Sequence, residues 1–160
     1  MTLKEIQKDI TTIERGIICH QVNCKGIMGA GLAKQIATKW PYVEAMYQDF
    51  VHFNKVRYTN PLGNCYITQV ISFGDNYKVW VANLFGQDDF GNGRQTNYHA
   101  LEHALCGLSD LMRYNNDIKD LKDFPVYIPK MIGCGLGGGD WNIVYQIIES
   151  IFPNAIICSL

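Results

Sequence analysis

Between an apolar run and an amphipathic segment, Gly133-Cys134-Gly135-Leu136-Gly137-Gly138-Gly139 places five glycines in seven residues, followed by Asp140 and Trp141. Such a passage reads as a strand, a glycine loop and a helix start. Absent side chains let an anion reach backbone N–H groups, and the helix behind adds the positive end of its dipole. A phosphate-bearing ligand suits this chemistry, with close backbone packing as the plain alternative. The spacing is neither that of a P-loop nor that of a dinucleotide-binding turn. A second passage of the same kind runs from His20 through Asn23, Ile27, Met28, Gly29, Ala30, Gly31 and Leu32 to Lys34. Two such loops at one sheet edge form a cleft walled by backbone. Asn23 offers an amide donor and acceptor to a sugar or a water, or it closes a turn as an Asx residue.

Acid and base candidates are few. His20 stands near the end of the first apolar run and titrates near neutrality, although a histidine there also serves as a structural residue. Asp140 brings a carboxylate to a helix start, where capping is the plain reading. His99 and His103 share a helix face but lack a third ligand, and the six cysteines form no Cys-x-x-Cys pair, so no metal site is expected. Cys19 and Cys158 sit inside apolar runs as small hydrophobes of a reducing compartment.

The elements that must position these loops follow from periodicity. Strand-like runs lie at Gly16 to Val22, Cys65 to Ser72, Lys78 to Phe85, Pro125 to Pro129 and Ala155 to Cys158. Helical patterns lie at Ala30 to Trp40, Pro41 to about Phe53, Thr96 to Tyr114 and Trp141 to Phe152, with Thr96 placed to cap the third. Alternation of this kind predicts an α/β fold: a three-layer α/β/α sandwich around a mostly parallel mixed sheet, with ligands at the carboxyl ends of the strands. At 160 residues and 48% apolar content, residues 1–160 are expected to form one domain. Fourteen basic against fifteen acidic residues, without a basic cluster, argue against a macromolecular polyanion as the primary ligand. No signal peptide or membrane-length apolar run is visible, so a cytoplasmic protein without membrane partners is expected, acting as a monomer.

Lys8-Asp9-Ile10, Asn23, Met28-Gly29-Ala30-Gly31-Leu32-Ala33, Asn83-Leu84-Phe85, Pro129 and the Gly133 to Trp141 segment together resemble the motifs of macrodomains, in order and spacing across most of the chain. They are most similar to the branch of the terminal ADP-ribose protein glycohydrolase and the antitoxin macrodomain that removes ADP-ribose from DNA. The ADP-ribose 1″-phosphate phosphatases are similar too. The resemblance implies ADP-ribose as ligand. Asp9 would accept a hydrogen bond from the adenine amino group and Ile10 would meet the ring through its amide. Asn23, Ile27 and Met28 to Leu32 would border the distal ribose, and Cys134, Gly135, Leu136, Gly137, Gly138, Gly139 and Asp140 would wrap the diphosphate.

Two departures bear on mechanism. Where the glycohydrolase branch carries a nucleophilic lysine, this chain has Phe85-Gly86-Gln87, and the amide of Gln87 is neither basic nor nucleophilic. Gly137 replaces the aspartate that follows Gly-Cys-Gly-Leu in that branch. Phe85 either stacks on a ribose or finishes the core strand. In the segment between Gln87 and Thr96, Arg94 could meet a terminal phosphate, and Asp88 or Asp89 could orient water or protonate a leaving group. The sequence is therefore read as a hydrolase of ADP-ribose 1″-phosphate that uses no cofactor, with water attack aided by Asn23 and an acid among His20, Asp88 and Asp140. Removal of ADP-ribose from protein or nucleic acid, and a non-catalytic ADP-ribose reader, are the alternatives.

Overall fold

The computed structural model describes residues 2–71, 74 and 77–160. Six strands form one sheet: β1 (Lys4–Gln7), β2 (Arg15–Gln21), β3 (Cys65–Val70), β4 (Lys78–Leu84), β5 (Val126–Pro129) and β6 (Ile156–Ser159). Their spatial order is β1-β6-β5-β2-β4-β3, parallel throughout except where β3 runs antiparallel to β4. Four helices cover it: α1 (Gly31–Lys39), α2 (Pro41–Val56), α3 (Tyr98–Tyr114) and α4 (Trp141–Ile151). The mixed three-layer sandwich is thus the observed architecture.

Strand alternation divides the core. Ile17 and Cys19 of β2, with Ala82 and Leu84 of β4, pack against Leu101, Leu105, Leu108, Val144 and Ile148 of α3 and α4. Ile18, Val79 and Val81 point the opposite way, toward Ile36 and Val43 of α1 and α2. Successive residues of a strand face opposite sides, so a central strand buried on both sides reads as an unbroken apolar run. Pro41, at the first position of α2, lacks an N–H that the preceding helix could use, and the chain turns at Trp40.

The chain after β2 passes to the α1 face, whereas the chain after β5 passes to the α4 face. Because β2 and β5 are neighbours, their carboxyl ends part there and leave a crevice, the usual ligand position in open α/β sheets.

Two differences from the sequence reading have local causes. β1 escaped notice because Lys4, Glu5 and Gln7 of this edge strand are exposed, which leaves no apolar run. β3 was expected to reach Ser72, a position outside the described residues. Thr96 does not cap α3: Asn97 does, its side chain accepting from Ala100 N at 3.0 Å, while Thr96 is buried against the glycine loop. Asn97→Ala should therefore cost about 1 kcal/mol in a urea titration, the usual worth of such a cap.

Candidate functional site

A cavity of about 550 Å³ fills the crevice, its wall formed by residues 20–23, 27 and 29–33 on one side and 129–133 and 135–137 on the other, with Gln87 and Phe90 behind. The glycine loop is held from outside the cavity. Gly137 O accepts from both Gln95 N (2.8 Å) and Thr96 N (2.9 Å), while Gly133 O accepts from Gly139 N (2.8 Å) and from the Thr96 hydroxyl (2.6 Å). Between these anchors, the N–H groups of Gly135, Leu136 and Gly137 donate to no acceptor among the described residues. Three successive free amides on a cavity wall form a concave anion site.

Packing, rather than ligand access, explains most of the glycines. A Cβ on Gly137 would stand 2.5 Å from Thr96 Oγ1, and one on Gly133 would stand 2.9 Å from Gln21 Oε1 with the backbone at φ +71°. Only glycine fits at such distances. Gly135 differs, since its missing side chain faces open space.

The opposite wall carries a second set of free donors. α1 begins at Gly31 behind Ala30, which has no side chain able to cap it, and Lys34 N is the first amide of the helix bonded back, to Ala30 O. The first-turn amides and the dipole therefore present positive potential to the cavity. The preceding turn is tied by Asn23, whose Oδ1 accepts from Lys25 N (2.9 Å) and whose Nδ2 donates to Ile27 O (2.8 Å). Tyr47 supports it from α2, with its hydroxyl 2.8 Å from Asn23 Oδ1 and accepting from Gly26 N.

Among the described lining residues, Lys130 carries the only full charge, and its Nζ pairs with Glu5 at 2.9 Å. His20 is 2% exposed, and its Nε2 lies 2.7 Å from Asn83 Oδ1. Asn83 spends its Nδ2 on Tyr66 O, so its Oδ1 accepts and His20 Nε2 carries the proton. Burial lowers the His20 pKa to about 4, and its Nδ1 is buried without a partner. At neutral pH this histidine is uncharged and cannot act as a general acid. Burial, reinforced by the nearby Asp88 carboxylate, pushes the Cys24 thiol up to about 12, which removes it as a nucleophile.

The structure brings His20, Asn23, Ile27, Gly29, Ala30, Gly31, Leu32, Gln87, Gly135, Leu136 and Gly137 to the cavity. Other residues singled out in the sequence lie elsewhere. Phe85 is fully buried between Tyr47 and Phe50, so it finishes the core strand and has no face for a ribose. Met28 packs in the same cluster. Asp140 caps α4 through Asn142 N at 2.9 Å, and Asp88 pairs with Lys25 at 3.5 Å on the surface. Arg94 lies over the Tyr98 ring, and Gly138 faces the backbone of Gly93 and Arg94. Cys134 and Gly139 lie behind the loop rather than on the cavity wall. Asp9 caps a 3₁₀ turn at Ile10–Thr12, its Oδ1 accepting from Thr11 N and the Thr11 hydroxyl, which lowers its pKa. With β1 parallel to β6, Asp9 and the buried Ile10 follow the strand end at the cavity's edge of the sheet.

Gln21 and Thr96 were missed. Gln21 follows Ile17 and Cys19 in the two-residue alternation, the one signal that could have placed it on the α3 side. Its Nε2 donates to Gln87 Oε1 (2.7 Å) and Thr96 Oγ1 (2.8 Å). Gln87 in turn donates to Asp89 O, which ties its amide at both ends.

No protein-family model matches the chain. It is 28% identical over 152 residues to a 17.5 kDa protein of Enterobacteria phage T4, a match covering 94% of this chain and 90% of that one. A DNA ADP-ribosyl glycohydrolase of Mycobacterium bovis is 26% identical over 150 residues, covering 91% of this chain and 37% of the relative. An ADP-ribose 1″-phosphate phosphatase of Lodderomyces elongisporus is 24% identical over 165 residues, covering 94% and 93%. Among solved structures, the macrodomain of Mycobacterium tuberculosis DarG matches with a TM-score of 0.77 at 19% identity, over 99% of this chain and 97% of that one. Thermosipho africanus DarTG in complex with ADP-ribose matches with a TM-score of 0.74 at 21% identity, over 99% and 41%. The fold is that of the macrodomains.

The depressed pKa of His20 has a measurable consequence. The unfolded chain takes up a proton near pH 6.5 and the folded one only near pH 4, so stability is complete above about pH 6.5 and falls as pH drops toward 4. The loss attributable to this residue is about 3 kcal/mol. Urea titrations at pH 7 and pH 4 should show it in the wild type and not in His20→Gln; equal losses in both proteins would contradict the assignment.

Proposed function

We propose that this chain binds ADP-ribose through its diphosphate and hydrolyses ADP-ribose derivatives at the distal ribose, with ADP-ribose 1″-phosphate as substrate. The observation that carries this reading is the pair of backbone donor sets on opposite walls of one cavity: Gly135 to Gly137 on one side, the uncapped start of α1 on the other. A ligand with a diphosphate and a separate terminal phosphate has one anion for each. Neutral amides and a helix end bind such groups without a basic surface, in keeping with a formal charge of −1. The relation to a phosphatase along nearly its whole length supports the choice of substrate.

In this reading Asp9 and Ile10 receive the adenine, and residues 27–32 border the distal ribose. Gln87 cannot form a covalent adduct with the sugar, so water is the nucleophile. Asn23 has one amide hydrogen committed to Ile27 O and the other available to orient that water. The free amides stabilise charge on the phosphates as the bond to the distal group breaks, which is where a preorganised donor site lowers a barrier. Asp88, on the loop behind the cavity, is the carboxylate that can accept a proton from the attacking water, after release from Lys25.

Removal of an ADP-ribosyl group from a macromolecule is the second reading. It is favoured by Ile27, Phe90, Met131 and Leu136, large apolar side chains that line the cavity while remaining exposed, and would meet whatever the distal ribose is joined to.

The deciding assay offers ADP-ribose 1″-phosphate and mono-ADP-ribosylated protein or DNA to one preparation, with ADP-ribose binding measured by calorimetry. Phosphate release supports the lead reading, and ADP-ribose release from the macromolecule supports the second. Binding without turnover would make the chain a reader, and failure to bind would end all three. Gly135→Glu should keep the fold, because space is open there, yet abolish ADP-ribose binding by placing a carboxylate at the diphosphate. Normal affinity in the folded variant would refute the loop's role.

A further inference from the structure

We infer that Thr96 is a positioning residue for the anion-binding loop, acting through the backbone of Gly133 and not through contact with ligand. The inference rests on the reading that this loop binds a diphosphate. Thr96 is 2% exposed and is absent from the cavity wall. Its hydroxyl has a determined direction. Gln21 Nε2 spends one hydrogen on Gln87 Oε1 and the other on Thr96 Oγ1, so the Thr96 proton goes to Gly133 O. The main-chain N–H of the same residue holds Gly137 O, together with that of Gln95.

A carbonyl and the next residue's N–H share one rigid peptide plane. Holding Gly133 O and Gly137 O therefore orients the planes at both ends of the loop. The three planes that carry the free amides of Gly135, Leu136 and Gly137 lie between them. Gln21 Oε1 is left buried and unpartnered by this arrangement, which keeps both amide hydrogens on Gln87 and Thr96. The relay thus ties the end of β2, the segment before α3 and the glycine loop into one unit, and a hydroxyl at position 96 is its last link.

Valine has the shape of threonine without the hydroxyl, whereas serine keeps the hydroxyl. The test compares wild type, Thr96→Val and Thr96→Ser by amide NMR at Gly135, Leu136 and Gly137 during titration with inorganic pyrophosphate, with ADP-ribose calorimetry and urea unfolding alongside. Thr96→Val should weaken both ligands about tenfold while remaining folded, and Thr96→Ser should bind within about twofold of wild type, since a single oriented hydrogen bond separates them. Should Thr96→Val not fold, Gln21→Met removes the donor behind the hydroxyl and should weaken pyrophosphate in the same direction. Wild-type affinity in Thr96→Val, or a Thr96→Ser as weak as Thr96→Val, would overturn the inference and leave the proposed function standing. A wild type that binds neither pyrophosphate nor ADP-ribose would overturn both.

Discussion

Two carbonyls, those of Gly133 and Gly137, are the points on which the cavity depends. Each accepts two hydrogen bonds, and three of those four come from Gln95 and Thr96. A glycine-rich loop has high conformational entropy, and unrestrained it would present its amides in many directions. Tying both ends to a segment that leads into a 17-residue helix transfers the rigidity of α3 to the loop. The residues between can then lack side chains without lacking a fixed shape.

The electrostatics follow from the same economy of side chains. A wall of amides and a helix start offers positive potential from partial charges that cannot titrate, beside a single lysine already paired with Glu5. Such a site accepts an anion over a wide pH range. It brings few of the proton-transfer groups common in hydrolases, because the histidine at its floor is kept neutral by burial and the neighbouring thiols are pushed toward the protonated form. Any turnover must then draw on positioned water, on the loop from Gln87 to Thr96, or on the substrate itself.

The location of the cavity was legible in advance because it depends on topology. Apolar runs at β2, β4 and β5 alternate with helical patterns, and that alternation gives a parallel sheet whose carboxyl edge gathers the loops after β2 and β5. The two glycine loops were legible for the same reason. Less visible was what the glycines are for. In the sequence they look like openings for a ligand, yet Gly133 and Gly137 are required by Thr96 and Gln21, which are distant in the chain and adjacent only after folding. Phe85 and Asp140 show the same limit: each type and position was compatible with a site role, and packing gave one to the core and the other to a helix cap.

What the amino-acid order determines here is local or periodic: which segments are strands and helices, that the sheet is covered on both faces, and that glycine loops follow two strands. These properties arise from neighbours within a few residues, where propensity, alternation and turn chemistry act. Which side chains line the cavity, which way the Thr96 hydroxyl points, and that His20 is neutral were decided only by the tertiary structure. Each is set by contacts between segments far apart in sequence, Gln21 with Thr96, Thr96 with Gly133 and His20 with Asn83. Hydrogen-bond direction and burial do not exist as quantities until those segments meet.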